Sequence, residues 1–89
     1  MIRKRFRFSG RVQGVGFRYR TQMMATELGL AGWVMNEYDG SVLMEVQGAE
    51  SQIDRLLDRL FNSRFIAITD YDSEVIPLED SSSFEIRGY

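Results

Sequence analysis

The chain contains no cysteine and no histidine in its 89 residues. Disulfides, thiol nucleophiles, iron–sulfur ligation, imidazole bases and histidine-held metals are therefore excluded. Proline occurs once, and the apolar fraction is 44%, which argues for a compact fold rather than a disordered chain. No apolar run is long enough to span a bilayer, and none follows the N-terminal charges as a secretion signal would require. These absences predict a cytoplasmic protein with no membrane partner. The length predicts one domain over residues 1–89 with a single modest core.

Acid is missing from the first twenty residues, which hold seven of the eleven Lys and Arg; all thirteen Asp and Glu follow. The formal net charge of −2 favours no polyanionic partner overall. A cationic feature on an acidic body suits a small anionic substrate better than a nucleic acid.

That cationic segment contains the stretch Gly10-Arg11-Val12-Gln13-Gly14-Val15-Gly16-Phe17-Arg18. Ahead of it Ile2, Lys4, Phe6 and Phe8 alternate with Arg3, Arg5, Arg7 and Ser9. This predicts a half-buried strand with the arginines on the solvated face. Behind it, Phe17, Thr21, Met24, Ala25 and Leu28 fall at helical spacing, and Gly29 supplies a stop. The stretch is thus a strand-to-helix loop. Its glycines let backbone amides turn to a common point, and the helix N-terminus adds donors and positive potential. Residues 13–17 are candidates for binding a phosphate through the backbone, and Arg18 can grip two of its oxygens. The spacing matches neither the dinucleotide fingerprint nor the nucleotide P-loop. From spacing alone, a tight turn with a solvated Arg18 stays open.

Residues 31–36 predict a second strand, with Trp33 and Met35 on one face and Val34 and Asn36 on the other. Asp39-Gly40 marks a hairpin turn into a third strand over residues 41–47. Residues 50–62 predict the clearest helix, with Ile53, Leu56, Leu57, Leu60 and Phe61 on its apolar stripe. A fourth strand follows over residues 65–76, with Ile66, Ile68, Asp70 and Asp72 on one side. A short last strand covers residues 84–87. Asp70, Asp72 and Glu74 alternate as an exposed face does, without the turn glycine and further ligands a metal loop needs, so no metal or other cofactor is expected.

The order β-α-β-β-α-β plus a terminal strand predicts an α+β ferredoxin-like split βαβ sandwich, with two helices on one face of a mostly antiparallel sheet. The crossover rule makes the first two strands parallel, with the third between them. The loop before Arg18 and the side chain of Asn36 then share one sheet edge, on strands roughly 9–10 Å apart. An antiparallel return of the last strand would bring Tyr89 toward the same edge. Backbone amides, a guanidinium and a carboxamide offer no nucleophile and no strong base. They suit a substrate with an anion to grip and a leaving group that departs without a proton. An acyl phosphate fits, because its leaving carboxylate has a conjugate acid of pKa about 4. Arg18 would hold the phosphoryl oxygens and Asn36 would orient a water. A turn role for Asn36, bonded to its own hairpin, is the structural alternative.

The first stretch, together with Gly32-Trp33-Val34-Met35-Asn36 and Asp39-Gly40-Ser41-Val42 through Gly48, resembles the two motifs of the acylphosphatase family. Leu28-Gly29-Leu30 and Phe84-Glu85-Ile86-Arg87 extend the resemblance over nearly the whole chain. It implies a metal-free hydrolase of carboxylic–phosphoric anhydrides, with Arg18 as catalytic arginine, Asn36 as water-positioning asparagine and Gln13, Gly14, Val15, Gly16 and Phe17 cradling phosphate. Three features depart from the family pattern. Met35 stands where a basic residue is usual. Asn62-Ser63-Arg64-Phe65 replaces a Gly-Pro-Pro-like stretch, and the chain ends Arg87-Gly88-Tyr89 rather than Ile-Arg-Tyr. A similar domain opens larger hydrogenase-maturation proteins, but the short chain favours a free-standing, monomeric enzyme acting on a small acyl phosphate. Two rival readings are a non-catalytic binding domain of the same fold and an RNA-recognition module. The second shares the element order but reads bases with aromatics on its central strands, whereas the third strand here has none, and no nucleic-acid partner is expected.

Overall fold

The computed structural model describes residues 1–88. Its elements in chain order are β1 (Ile2–Arg11), α1 (Phe17–Glu27), β2 (Ala31–Asn36), β3 (Val42–Gly48), α2 (Glu50–Phe61), β4 (Ala67–Ile76) and β5 (Phe84–Arg87). The strands form one sheet in the order β4-β1-β3-β2-β5. β1 pairs antiparallel with β3 and β4, β2 pairs antiparallel with β3, and β5 lies parallel to β2. This is the ferredoxin-like sandwich expected from the element order. β1 and β2 run the same way on either side of β3, so the end of β1 and the end of β2 meet at one edge.

The core lies between the helices and the sheet. Phe6, Phe8, Val34, Val42, Met44 and Val46 point into it from the sheet, and Phe17, Ala25, Ile53, Leu56 and Leu60 close it from the helices. Each fully buried large side chain contributes about 1.5–3 kcal/mol. The rings of Phe6 and Phe8 stack at 5.6 Å, and Phe17 tilts against Phe8 at 5.5 Å. The first turn of α1 is therefore fixed to β1 directly behind the loop.

The opposite face departs from the expected solvated row of arginines. Residues 77–83 cross it from β4 to β5, and Gln47 on β3 exchanges hydrogen bonds with the Glu79 backbone at 2.9 and 3.0 Å. Beneath this crossing Arg3 and Glu45 are only 1% and 3% exposed. Arg3 donates to Glu45 at 2.9 and 3.1 Å, and Arg5 donates to its other oxygen at 2.7 and 3.0 Å. Burial pushes the Glu45 carboxyl up, but hydrogen bonds and charge from Arg5 and Arg3 outweigh it and hold it below its ordinary value.

The fourth strand also differs from its periodic reading. The β1–β4 register shifts where Ser9 faces Asp70 and Gly10 faces Ile68, leaving Thr69 as an extra residue. Such a bulge reverses side-chain parity. Beyond it Tyr71 packs on Phe6, Phe8 and Phe61 at 6.2, 6.1 and 5.4 Å between ring centres. Asp70 and Asp72 consequently lie on the face opposite Ile66 and Ile68. Asp72 and Glu74 flank a depression with Arg5 and Arg7, and Glu74 accepts a bond from Arg5 at 3.4 Å.

Candidate active site

The loop between β1 and α1 is held by alternate side chains. Gln13 donates through Nε2 to the Glu37 and Ser41 carbonyls at 2.7 and 2.8 Å, Val15 packs on the core, and Phe17 is buried in it. The intervening Gly14 and Gly16 are exposed, with φ of 74° and 76°. That left-handed conformation would cost a residue with a side chain about 1–2 kcal/mol. Gly16 caps α1, whose first internal bond runs from Arg20 N to Gly16 O at 2.9 Å. The amides of Phe17 and Tyr19 therefore have no partner earlier in the helix, the condition that makes a helix N-terminus an anion site.

The hairpin carrying Asn36 is rigid for separate reasons. Glu37 N bonds Ser41 O at 2.9 Å, and Asp39 accepts bonds from both Ser41 N and Ser41 Oγ at 2.9 and 2.6 Å. The Ser41 side-chain and backbone bonds hold the Asp39 carboxyl below its ordinary value. Arg7 donates to Glu37 at 2.8 Å from the neighbouring strand. The Gln13 amide then couples this hairpin to the loop.

Between loop and hairpin lies a cavity of about 210 Å³. Gly14, Gly16, Phe17, Arg18 and Asn36 line it, with Val12, Tyr19 and Ile86 completing the wall. Arg18 and Asn36 are thus brought together as the crossover rule requires. Asn36 stands at the end of β2, paired through its backbone with Val42, and lines the cavity. Gln13 is adjacent but spends its side-chain donors on the hairpin, which leaves its backbone to the loop. Val15 likewise turns its side chain inward. Ile86 is a wall residue that sequence reasoning did not single out. Its place follows from the parallel pairing Val34 with Ile86, which no local pattern in residues 77–83 announces. The suggested approach of Tyr89 lies outside the described residues.

A sequence model of the family described as acylphosphatase matches residues 4–86. The chain belongs to the acylphosphatase family. The acylphosphatase of Oceanobacillus iheyensis is 42% identical over 81 residues, covering 88% of this chain and 89% of that one. The acylphosphatase of Clostridium perfringens is 48% identical over 79 residues, covering 84% and 89%. The crystal structure of acylphosphatase from Bacillus subtilis superimposes with a TM-score of 0.92 at 39% identity, covering 99% of this chain and all of that one. Like the family, this acylphosphatase-fold chain is an enzyme that hydrolyses acyl phosphates.

Proposed function

We propose that hydrolysis proceeds without a metal, with the phosphoryl group held by Arg18 and the backbone of residues 13–18, and the attacking water oriented by Asn36. The observation that carries this reading is the single cavity lined by Arg18, Asn36 and the two exposed glycines, whose neighbouring side chains are anchored elsewhere. The water oxygen attacks phosphorus, and the bond from phosphorus to the acyl oxygen breaks. The electron pair leaves with the carboxylate, and the water proton passes to a phosphoryl oxygen of the substrate. The products are a carboxylate and inorganic phosphate. A leaving group of conjugate-acid pKa about 4 needs no general acid, which agrees with a cavity whose lining includes no carboxyl or imidazole group. Arg18 and the amides stabilise charge on the phosphoryl oxygens. The acids nearest the hairpin, Glu37 and Asp39, are engaged by Arg7 and Ser41.

The same reading makes the protein a cytoplasmic monomer serving a small diffusible substrate, with no nucleic-acid partner. Among the described residues no helix is long and apolar enough to cross a membrane. The sheet-face arginines Arg3, Arg5 and Arg7 are matched by acids, which leaves little charge for a phosphate backbone.

Turnover of benzoyl phosphate with chelator present tests the mechanism in the parent, Arg18→Ala and Asn36→Ala. Chelator-resistant turnover should fall by about 1,000-fold in Arg18→Ala and about 100-fold in Asn36→Ala, with both variants folded by circular dichroism. Loss of parent activity to chelator would refute the metal-free mechanism, and a fully active Asn36→Ala would remove the water-positioning role.

A further inference from the structure

Beside the active-site cavity lies a second depression of about 380 Å³, to which Arg11, Arg20 and Arg64 all contribute. Gly14 lines both spaces, so they meet at a residue with no side chain to separate them. No acid lines this groove, and none of the three arginines has an ion pair among the described residues. Arg20 is held in place by stacking at 4.5 Å over the ring of Phe65, yet its Nε is buried with no hydrogen-bond partner. A desolvated guanidinium donor without an acceptor costs free energy, and three convergent cations repel one another. An anion in the groove offsets the repulsion among the three.

We propose that this groove receives a second anionic group, a carboxylate or phosphate, carried on the acyl part of the substrate. The inference rests on the reading that the phosphoryl group sits at Arg18. The acyl chain then passes over Gly14, and its distal anion meets Arg20 and Arg64. Hydrolysis itself is unchanged, since the distal group gains and loses no bond. The groove sets which acyl phosphate is preferred. Its residues Arg20 and Arg64 lie outside the catalytic pair, and Arg64 falls within the segment that departs from the family pattern.

The test compares benzoyl phosphate with its 3- and 4-carboxylated analogues in the parent, Arg20→Gln and Arg64→Gln. The parent should favour at least one carboxylated substrate in kcat/KM by about tenfold, the size of one or two charge-assisted bonds. Both variants should lose that preference while benzoyl phosphate turnover stays within about twofold, and high salt should shrink it in the parent. Equal parent values for all three substrates, or an equal loss on every substrate in both variants, would overturn the proposal. Exposed Arg64 guards against a folding artefact at Arg20. Non-competitive inhibition of benzoyl phosphate turnover by inorganic phosphate, abolished by Arg64→Gln, would place an independent anion in the groove and overturn the substrate assignment. A folded parent that turns over none of the three would refute the active-site reading itself, and this inference with it.

Discussion

The sheet and the loop each carry arginines, and the two sets are treated oppositely. Arg3, Arg5 and Arg7 lie in a row on β1, and each meets a carboxylate: Glu45 at 2.9 Å, Glu45 again at 2.7 Å, and Glu37 at 2.8 Å. Arg11, Arg20 and Arg64 converge at the end of the same strand in a groove that no acid lines among the described residues. The seven basic residues that open the chain are therefore not one electrostatic feature. Arg7 ties β1 to the hairpin through Glu37, and Arg3 reaches Glu79 of the crossing segment. Arg11 and Arg20, with Arg64 from the segment after α2, leave positive potential beside a loop whose backbone already offers donors. A cation matched by a buried acid has its field cancelled locally, whereas unmatched cations beside a helix N-terminus reinforce one another. Acid-matched arginines and arginines in the acid-free groove are thus separated between the body of β1 and its exit.

Mutations at the two ends should separate in the same way. Glu45→Ala leaves Arg3 buried without its principal acceptor and should cost about 3 kcal/mol in a denaturant titration, with benzoyl phosphate turnover retained below the unfolding transition. Gln13→Ala sits at the junction and should affect both properties. Losing two bonds to hairpin carbonyls should cost about 1–2 kcal/mol, and loosening the loop from Asn36 should lower kcat about tenfold. A drop in stability with no change in kcat would show that the hairpin and loop keep their relative position without this amide.

The smallest effect expected is in acid. The Glu45 carboxyl is held below its unfolded value, so its stabilisation is fully present above the unfolded pKa of about 4.3 and is lost as pH falls through the folded value. Melting temperature should therefore decline more steeply below about pH 4.3 in the parent than in Glu45→Gln. Parallel declines would mean that other carboxylates govern acid unfolding.

Much of this arrangement is legible in the residues alone, because it rests on local periodicity and one topological rule. Alternation marks β1, helical spacing marks α1 and α2, and the crossover rule puts Arg18 and Asn36 at one edge before any coordinate is known. The parts that escape depend on long-range contact. Nothing in the alternation of Arg3, Arg5 and Arg7 reveals that residues 77–83 will cover Arg3 while leaving its neighbours partly open. The bulge at Thr69 carries no glycine of its own and inverts every inward assignment after it. The Gln13 side chain lies inside the loop motif, where its backbone draws attention, but its role is to reach carbonyls 24 and 28 positions away. Convergence of Arg11, Arg20 and Arg64 requires the end of β1, the first turn of α1 and the segment after α2 to meet. No spacing in the chain expresses that meeting.

The most direct test of this division of labour is kcat/KM for benzoyl phosphate, with chelator present, in Arg18→Ala and Arg5→Ala side by side. It should fall about 1,000-fold in Arg18→Ala and change by no more than about twofold in Arg5→Ala. A comparable loss in both, or a loss only in Arg5→Ala, would contradict that division and return the anion chemistry to the sheet face.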